Sequence, residues 1–178
     1  MKLFSLFINI IIIQPQNVLL YIEPNQSSVV RRVKLADFGI SKIADKTITN
    51  NVSIIGTANY MDPSLRSLIA QHGGSRIDLK IDLKAADVFS FGVVMFELLT
   101  KPFTANEIVS SFVIDSSTLQ QSFFPLLSNE DAVELCELVR SCISTESFKR
   151  PKFQTISLTL LKLLQRIHQF EEMERFLK

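Results

Sequence analysis

The 178-residue chain has no tryptophan, two cysteines, two histidines, five glycines and six prolines. Low glycine and proline, with 47% hydrophobic and 21% charged residues, exclude a low-complexity chain and favour a packed globular domain. A formal net charge of +1 supplies no field that would attract nucleic acid or an anionic membrane. The length is sufficient for one compact domain.

The two cysteines do not form a recognisable metal-binding pattern. Cys136 and Cys142 are six residues apart, so on one helix they point about 120° away from each other. The histidines, His72 and His168, are distant in the sequence. We therefore interpret the cysteines as two buried thiols in a reducing compartment and expect a cytoplasmic protein.

Residues 1–13 form a separate apolar segment. A lysine at position 2 followed by apolar residues to Ile13 resembles the start of a secretory signal. Residues 14–17 offer no small-residue cleavage site, and the apolar stretch is too short to span a bilayer. We expect a buried helix or strand, or a sequence created by an alternative start, rather than a signal or an anchor.

Local patterns predict a β-hairpin followed by a long loop. Residues 18–22 are apolar and β-prone, residues 31–36 alternate apolar and basic side chains, and polar residues 23–28 between them predict a turn. Residues 39–64 show no sustained periodicity and are rich in Ser, Thr and Asn. A loop of that length in a compact domain usually serves a function.

Three helices are predicted in the second half of the chain. Residues 85–100 are apolar around most of a helix circumference, which predicts a central buried helix that Pro102 ends. Ser128 and Asp131 form a capping-box-like start for a second helix, predicted to run through Ile143. Pro151 suits the first turn of a third. The apolar residues of this third helix recur at spacings of three and four: Phe153, Ile156, Leu160, Leu163, Ile167, Phe170 and, more weakly, Leu177.

An ordered series of short motifs carries most of the information. A tripeptide such as Asp-Phe-Gly occurs by chance about once per several thousand residues, so the order matters more than any one member. The series resembles the C-terminal lobe of a eukaryotic-type protein kinase. Its members are Pro15-Gln16-Asn17, Asp37-Phe38-Gly39, Gly56-Thr57-Ala58-Asn59-Tyr60-Met61-Asp62-Pro63, Asp87-Val88-Phe89-Ser90-Phe91-Gly92 and Lys149-Arg150-Pro151-Lys152-Phe153.

The resemblance implies an α+β, mainly α, protein-kinase-like fold, of which this chain carries the C-terminal helical lobe and a small β-hairpin. Residues 14–165 would form the lobe and residues 166–178 a helical tail. The Gly56-Thr57 pair is typical of serine/threonine kinases. The ending Arg150-Pro151-x-Phe153, with Cys142 ahead of it, favours the tyrosine-kinase-like group.

The family uses ATP and Mg²⁺, and the resemblance assigns their binding to three residues. Asp37 would bind the Mg²⁺ that bridges the phosphates, and Phe38 and Gly39 would fix its position. Asn17 would ligate a second Mg²⁺, and Leu19 would lie under the adenine ring. Such oxygen ligands are chemically adequate for Mg²⁺. Without the family, Asp-x-Gly is ordinary turn chemistry and Leu19 is a core strand residue.

The catalytic loop departs from the family pattern. Isoleucines at positions 10–12 stand where the family has His-Arg-Asp, so Ile12 occupies the position of the catalytic Asp and no intact catalytic residue is present. Gln14 stands in place of the Lys. The family's Gly-rich loop, strand Lys and helix Glu do not occur in these 178 residues. We expect weak binding of ATP and no useful phosphoryl transfer by this chain.

Thr57, Asp87 and Arg150 are structural candidates of the activation segment and its supports. Asp62-Pro63-Ser64 replaces Ala-Pro-Glu, so Ser64 removes the carboxylate that in the family pairs with the Arg matched by Arg150. A buried Arg without a partner is costly, so we expect Arg150 to be partly exposed, as at a helix start, or paired elsewhere. Asp87 would accept backbone hydrogen bonds from the catalytic loop; alternatively it is a first-turn helix residue.

Two functional hypotheses stay open at this point. The first is a serine/threonine kinase lobe without its N-terminal lobe, arising from a mis-assigned start of an active kinase or from a true pseudokinase. The second is a non-enzymatic interaction module that docks through its helical surface and the stripe over residues 153–177. Both imply protein substrates or partner proteins, without nucleic acid or membrane. Exposed apolar surface predicts self-association.

Overall fold

The computed structural model describes residues 13–22, 30–36, 58–72, 82–100 and 128–176. Within these ranges the protein is mostly helical with one two-stranded antiparallel sheet. None of the described helices has the length and apolar character needed to cross a membrane. The elements are strands β1 (Val18–Ile22) and β2 (Val30–Leu35), helices α1 (Pro63–His72), α2 (Leu83–Thr100), α3 (Asn129–Cys142) and α4 (Phe153–Phe176), and 3-10 turns at Pro15–Asn17, Ala58–Tyr60 and Ser147–Lys149.

The predicted hairpin is confirmed. Strands β1 and β2 pair antiparallel in a register that sets Val18 opposite Leu35 and Leu20 opposite Val33, with an irregularity after Tyr21. Side chains on this hairpin are largely exposed; those of Leu20, Tyr21 and Val33 are each more than half accessible. The hairpin therefore contributes surface rather than core, and an apolar surface of this kind suits contact with another structural layer.

Helix α2 is the buried centre, as its apolar circumference predicts. Asp82 caps its start, since the Asp82 Oδ1 accepts the N–H groups of Lys84 at 3.0 Å and Ala85 at 3.2 Å. The helix therefore begins at Leu83, two residues before the predicted start, and ends at Thr100. Its buried residues are Ala85, Ala86, Asp87, Val88, Phe89, Ser90, Gly92, Val93, Val94, Met95, Phe96, Leu99 and Thr100.

Gly92 allows α2 and the end of α3 to approach closely. A Cβ atom at position 92 would lie 2.6 Å from the Cβ of Cys142 and 2.8 Å from the Cγ2 of Ile143. Cys142 is fully buried at this contact, and so is Cys136, which confirms the prediction of two buried thiols. Burial raises the pKa of the Cys142 thiol to about 12.

The predicted capping residues begin helix α3. Ser128 Oγ accepts the N–H of Asp131 at 3.1 Å and donates to the Asp131 carboxylate at 2.7 Å. Arg166, from helix α4, donates to Asp131 Oδ1 at 2.5 Å and also to Glu134. The start of α3 is thus held by its own cap and by an ion pair to the neighbouring helix.

The apolar stripe of α4 faces the core. Ile156 and Leu163 are buried, and Phe153, Leu160 and Ile167 pack against the core from partly buried positions. The Phe153 ring meets Phe91 of α2 edge to face, with centroids 5.7 Å apart. The docking face hypothesised for this stripe is therefore wrong for these five residues, and the side chains of Phe170 and Leu177 lie outside the described part of the chain. A different row, Leu158, Leu161 and Leu164, is exposed instead.

Helix α1 shortens the loop predicted over residues 39–64. The described part of that range contains the 3-10 turn Ala58–Tyr60 and the first two residues of α1. Asp62 provides the helix cap and Pro63 occupies the first helical position, which is a favourable start. The remaining residues of the predicted loop lie outside the described ranges.

Candidate functional site

Two of the three residues predicted to bind metal and nucleotide, Asn17 and Leu19, lie at the start of the hairpin. Asn17 ends the 3-10 turn Pro15–Asn17, and its backbone oxygen accepts the N–H of Ala36 at 2.8 Å. Ala36 directly precedes Asp37, so the hairpin returns the chain to the side of Asn17. Asp37, Phe38 and Gly39 themselves lie outside the described residues.

Leu19 is not a core residue. It lies on β1 opposite Lys34 and is 54% exposed, so the alternative of a core strand residue is wrong. Its exposure leaves it available to a ligand, which is what the resemblance requires of it. The roles of Leu19 and Asn17 in ligand binding stay predictions.

The chain just before the hairpin is anchored in the core. Ile13 is 6% exposed and belongs to the main hydrophobic cluster, together with residues of α2 and α3. Ile12, at the position of the catalytic Asp, lies outside the described residues, as does the rest of the segment 1–12. An isoleucine there has no group that could accept a proton.

Asp87 lies in the second turn of α2 and is buried. The alternative of a first-turn aspartate is wrong, because α2 begins at Leu83, its first turn has no acidic residue, and the cap is Asp82. The helix dipole stabilises carboxylates only within the first turn, so it does not stabilise the charge of Asp87. A buried carboxylate at this position needs hydrogen bonds or an ion pair to offset the loss of water.

The segment Ala58–Asp62 is fixed to helix α2 by two hydrogen bonds. Ser90 Oγ donates to the backbone oxygen of Tyr60 at 2.6 Å. The Tyr60 hydroxyl donates to Glu97 Oε2 at 2.7 Å. Burial, and then the hydrogen bond and charge of Glu97, raise the pKa of Tyr60 well above its usual value. Tyr60 is therefore a neutral donor over the whole physiological range.

Arg150 is buried and paired, which corrects one half of its prediction and confirms the other. Its side chain is fully inaccessible rather than partly exposed. Its Nη1 donates to Asp62 Oδ2 and, at 2.8 Å, to the backbone oxygen of Ala85; its Nε donates to Ser144 O at 2.8 Å. The guanidinium also lies 5.0 Å from the centroid of the Phe89 ring. The family's partner at position 64 is replaced by a carboxylate two residues earlier.

Asp62 divides its two carboxylate oxygens between two tasks. Oδ2 pairs with Arg150, whereas Oδ1 accepts the N–H groups of Ser64 at 2.7 Å and Leu65 at 3.2 Å. The first turn of α1 is thus capped by the same side chain that neutralises the buried cation. Arg66 adds a hydrogen bond of 3.1 Å from its Nη2 to the backbone oxygen of Met61.

Among the site residues, Asp62 is the one that motif reading missed. The motif treats its position as an alanine, and no local pattern reveals a partner 88 residues away. One signal was present: Asp62-Pro63 is a favourable helix cap and first residue, so the sequence could have predicted that a helix begins here. Thr57 lies outside the described residues.

The sequence was compared with models of known protein families. The family model for the protein kinase domain matches residues 11–176. The chain belongs to the protein kinase domain family. Proteins of this family use ATP and Mg²⁺ and act on protein substrates. The matched range includes the residues of the hairpin, of the Asp62–Arg150 ion pair and of the four helices that the structure describes.

Curated relatives are named as serine/threonine kinases or as mitogen-activated protein kinase kinases. A serine/threonine-protein kinase/receptor of Acanthamoeba polyphaga mimivirus is 29% identical over 74% of this chain and 8% of its own length. The kinase kinX of Dictyostelium discoideum is 26% identical over 74% of this chain and 11% of its length. Mitogen-activated protein kinase kinase 9 of Arabidopsis thaliana is 38% identical over 51% of this chain and 25% of its length. The chain therefore spans a small part of these relatives.

Proposed function

We propose that this chain is the C-terminal lobe of a serine/threonine protein kinase of the tyrosine-kinase-like group. Together with an N-terminal lobe, such a lobe would serve ATP- and Mg²⁺-dependent transfer of phosphate to protein hydroxyls. The observation that carries the proposal is the hydrogen bond between Ala36 N and Asn17 O, which brings the chain before Asp37 beside Asn17. The side chains of Asp37 and Asn17 are, by type, oxygen ligands of the kind that Mg²⁺ prefers. The buried thiols of Cys136 and Cys142 fit the proposed cytoplasmic location.

We infer further that the 178-residue chain does not transfer phosphate on its own. Ile12 provides no proton acceptor for a substrate hydroxyl, and Gln14 provides no cation for the developing charge. A positioned general base contributes about 10²- to 10⁴-fold to such a reaction. One preorganised group that stabilises the developing charge contributes about 10²- to 10³-fold more. Both contributions are missing from these positions.

A phosphoryl-transfer assay tests this inference. The purified chain is incubated with labelled ATP, Mg²⁺ and a generic basic protein substrate, beside the variant Asp37→Ala. We expect equal, background labelling in both reactions. Robust labelling by the wild type that disappears in Asp37→Ala would show that another group replaces the base, and the inference of inactivity would be wrong.

Nucleotide binding should be weak for the same chain. Leu19 offers one exposed apolar surface for an adenine, and half a pocket buries too little of the ligand for tight binding. We expect dissociation constants for Mg-ATP of about 1 mM or weaker in a calorimetric titration. Binding in the low micromolar range would mean that a further element of the chain completes the pocket.

The second candidate function is a non-enzymatic interaction module. The exposed row of Leu158, Leu161 and Leu164 on α4 favours it, because contiguous apolar surface tends to mark association. We expect oligomers in size-exclusion chromatography and a shift toward monomer in the double variant Leu158→Gln/Leu164→Gln. A monodisperse wild-type monomer would remove this argument.

The genomic region upstream distinguishes an active kinase from a pseudokinase. A Gly-rich loop, a strand Lys and an intact His-Arg-Asp in one reading frame with Pro15-Gln16-Asn17 would establish an active enzyme. An upstream frame that lacks these motifs would favour the pseudokinase and the interaction module.

A further inference from the structure

Asp62 and Arg150 form a buried ion pair that the motif pattern does not predict, because the pattern pairs this Arg with the residue at position 64. Asp62 is 1% exposed and the Arg150 side chain is inaccessible, so neither charge is solvated by water. Two other bonds of Arg150, to the backbone oxygens of Ala85 and Ser144, fix its orientation independently of Asp62. The position of the buried guanidinium is thus fixed by backbone groups as well as by Asp62. Within the described part of the chain, Asp62 supplies the only side-chain carboxylate that pairs with it.

We propose that Asp62 is the positioning residue of the activation-segment end, and that its carboxylate has replaced the one lost at Ser64. Asp62 acts through Arg150: it ties the segment Ala58–Asp62 to a cation that is held by α2 and by the turn after α3. The description of this segment as an activation-segment end rests on the proposed function. The ion pair itself does not.

Position 64 is where the family pattern has the carboxylate that pairs with the Arg matched by Arg150. Arg150 Nη2 is buried and makes no hydrogen bond with any residue that the structure describes, so one donor of the guanidinium is available. Ser64 lies one residue after Pro63 at the start of α1 and is itself exposed. Moving the charge from position 62 to position 64 is therefore a direct test of what Asp62 supplies.

The variant Asp62→Asn separates the ion pair from the helix cap. Asparagine caps helices as well as aspartate does, so the hydrogen bonds to Ser64 and Leu65 can persist while the charge is lost. Removing one partner of a buried pair leaves the other charge uncompensated. We expect the melting temperature to fall by about 10 °C. We also expect the amide of Arg66, which donates to Asp62 O at 2.9 Å, to exchange roughly a hundredfold faster.

Asp82→Asn is the matched control. Asp82 caps α2 through Oδ1 in the same way as Asp62 caps α1, but it is exposed. The same chemical change at this cap should leave the melting temperature within about 2 °C and the Arg66 amide unchanged.

Rescue distinguishes charge from packing. Adding Ser64→Glu to Asp62→Asn should restore most of the melting temperature and the slow exchange of the Arg66 amide, whereas adding Ser64→Gln should restore neither. If Asp62→Asn is too unstable to purify, recovery of folded protein with Ser64→Glu and not with Ser64→Gln supports the proposal equally.

Three results would overturn the proposal: no effect of Asp62→Asn, equal rescue by Ser64→Glu and Ser64→Gln, or no rescue by either. None of these measurements involves phosphoryl transfer, so the proposed kinase function can fail or stand independently of the outcome.

Discussion

Gly92→Ala should destabilise the protein in spite of the better helix propensity of alanine. The added methyl group would lie 2.6 Å from the Cβ of Cys142 and 2.8 Å from the Cγ2 of Ile143. A Cβ atom cannot rotate away, and the backbone carbon of Cys142 lies 3.3 Å from the same point. Relief therefore requires α2 and the end of α3 to move apart, which would loosen the centre of the core.

The magnitude follows from two opposing terms. Overpacking of this kind costs about 1–3 kcal/mol, and the rigid contact places it near the upper end. Replacing a helical glycine by alanine returns about 1 kcal/mol. The net loss is about 2 kcal/mol in the free energy of unfolding, or about 4–8 °C in melting temperature for a chain of this size.

Urea denaturation followed by circular dichroism measures this free energy. Leu98→Ala is the matched control, because Leu98 lies on the same helix and is 58% exposed. It should change the free energy of unfolding by less than about 0.5 kcal/mol. A Gly92→Ala protein as stable as the wild type would mean that the two helices are not in the close contact described above.

Three further changes test other parts of the structure. Tyr60→Phe should lower the free energy of unfolding by about 1 kcal/mol, since it removes the hydrogen bond to Glu97. Because the pKa of Tyr60 is raised in the folded state, the stability of the wild type should fall above about pH 10 in urea melts at increasing pH. The Phe variant should lack this contribution to the pH dependence. Cys142 should resist iodoacetamide at pH 8 in the folded protein and react on unfolding, since its pKa of about 12 lowers the thiolate fraction roughly a thousandfold; mass spectrometry of peptides measures this, and fast labelling of native protein would contradict it. Arg166→Ala should lower the melting temperature slightly at low salt and less at high salt, because the Arg166 side chain that pairs with Asp131 and Glu134 is 42% exposed and therefore screened by ions; a loss that persists in full at high salt would indicate a packing role.

Local sequence signals were sufficient for most of the secondary structure. The alternation of strand β2, the apolar circumference of α2 and the Ser128 cap of α3 are properties of short segments, and each element formed within about two residues of its predicted bounds. Boundaries moved where a cap overrode the apolar pattern, as Asp82 did for the start of α2. Helix α1 was missed because Asp62-Pro63 was read as a family motif and not as a cap.

Local sequence patterns could not predict which residues pair over long distances in the chain. The motif series predicted that Arg150 needed a partner, but the identity of that partner depends on how two distant segments meet in three dimensions. The sequence also could not decide whether the apolar stripe of α4 packs against the core or forms a docking surface, because both uses produce the same periodic row of apolar residues. Burial of Ile156 and Leu163 decided in favour of the core.

The 88-residue separation of Asp62 and Arg150 bears on how fast the protein unfolds. The entropy lost in closing such a loop grows only with the logarithm of its length, so the pair is compatible with a stable protein, but it forms after nearer contacts are in place. We expect Asp62→Asn to leave the folding rate almost unchanged and to accelerate unfolding, as stopped-flow urea jumps would show; slower folding would contradict this. The ion pair then acts on the lifetime of the folded state and leaves the route to it unchanged.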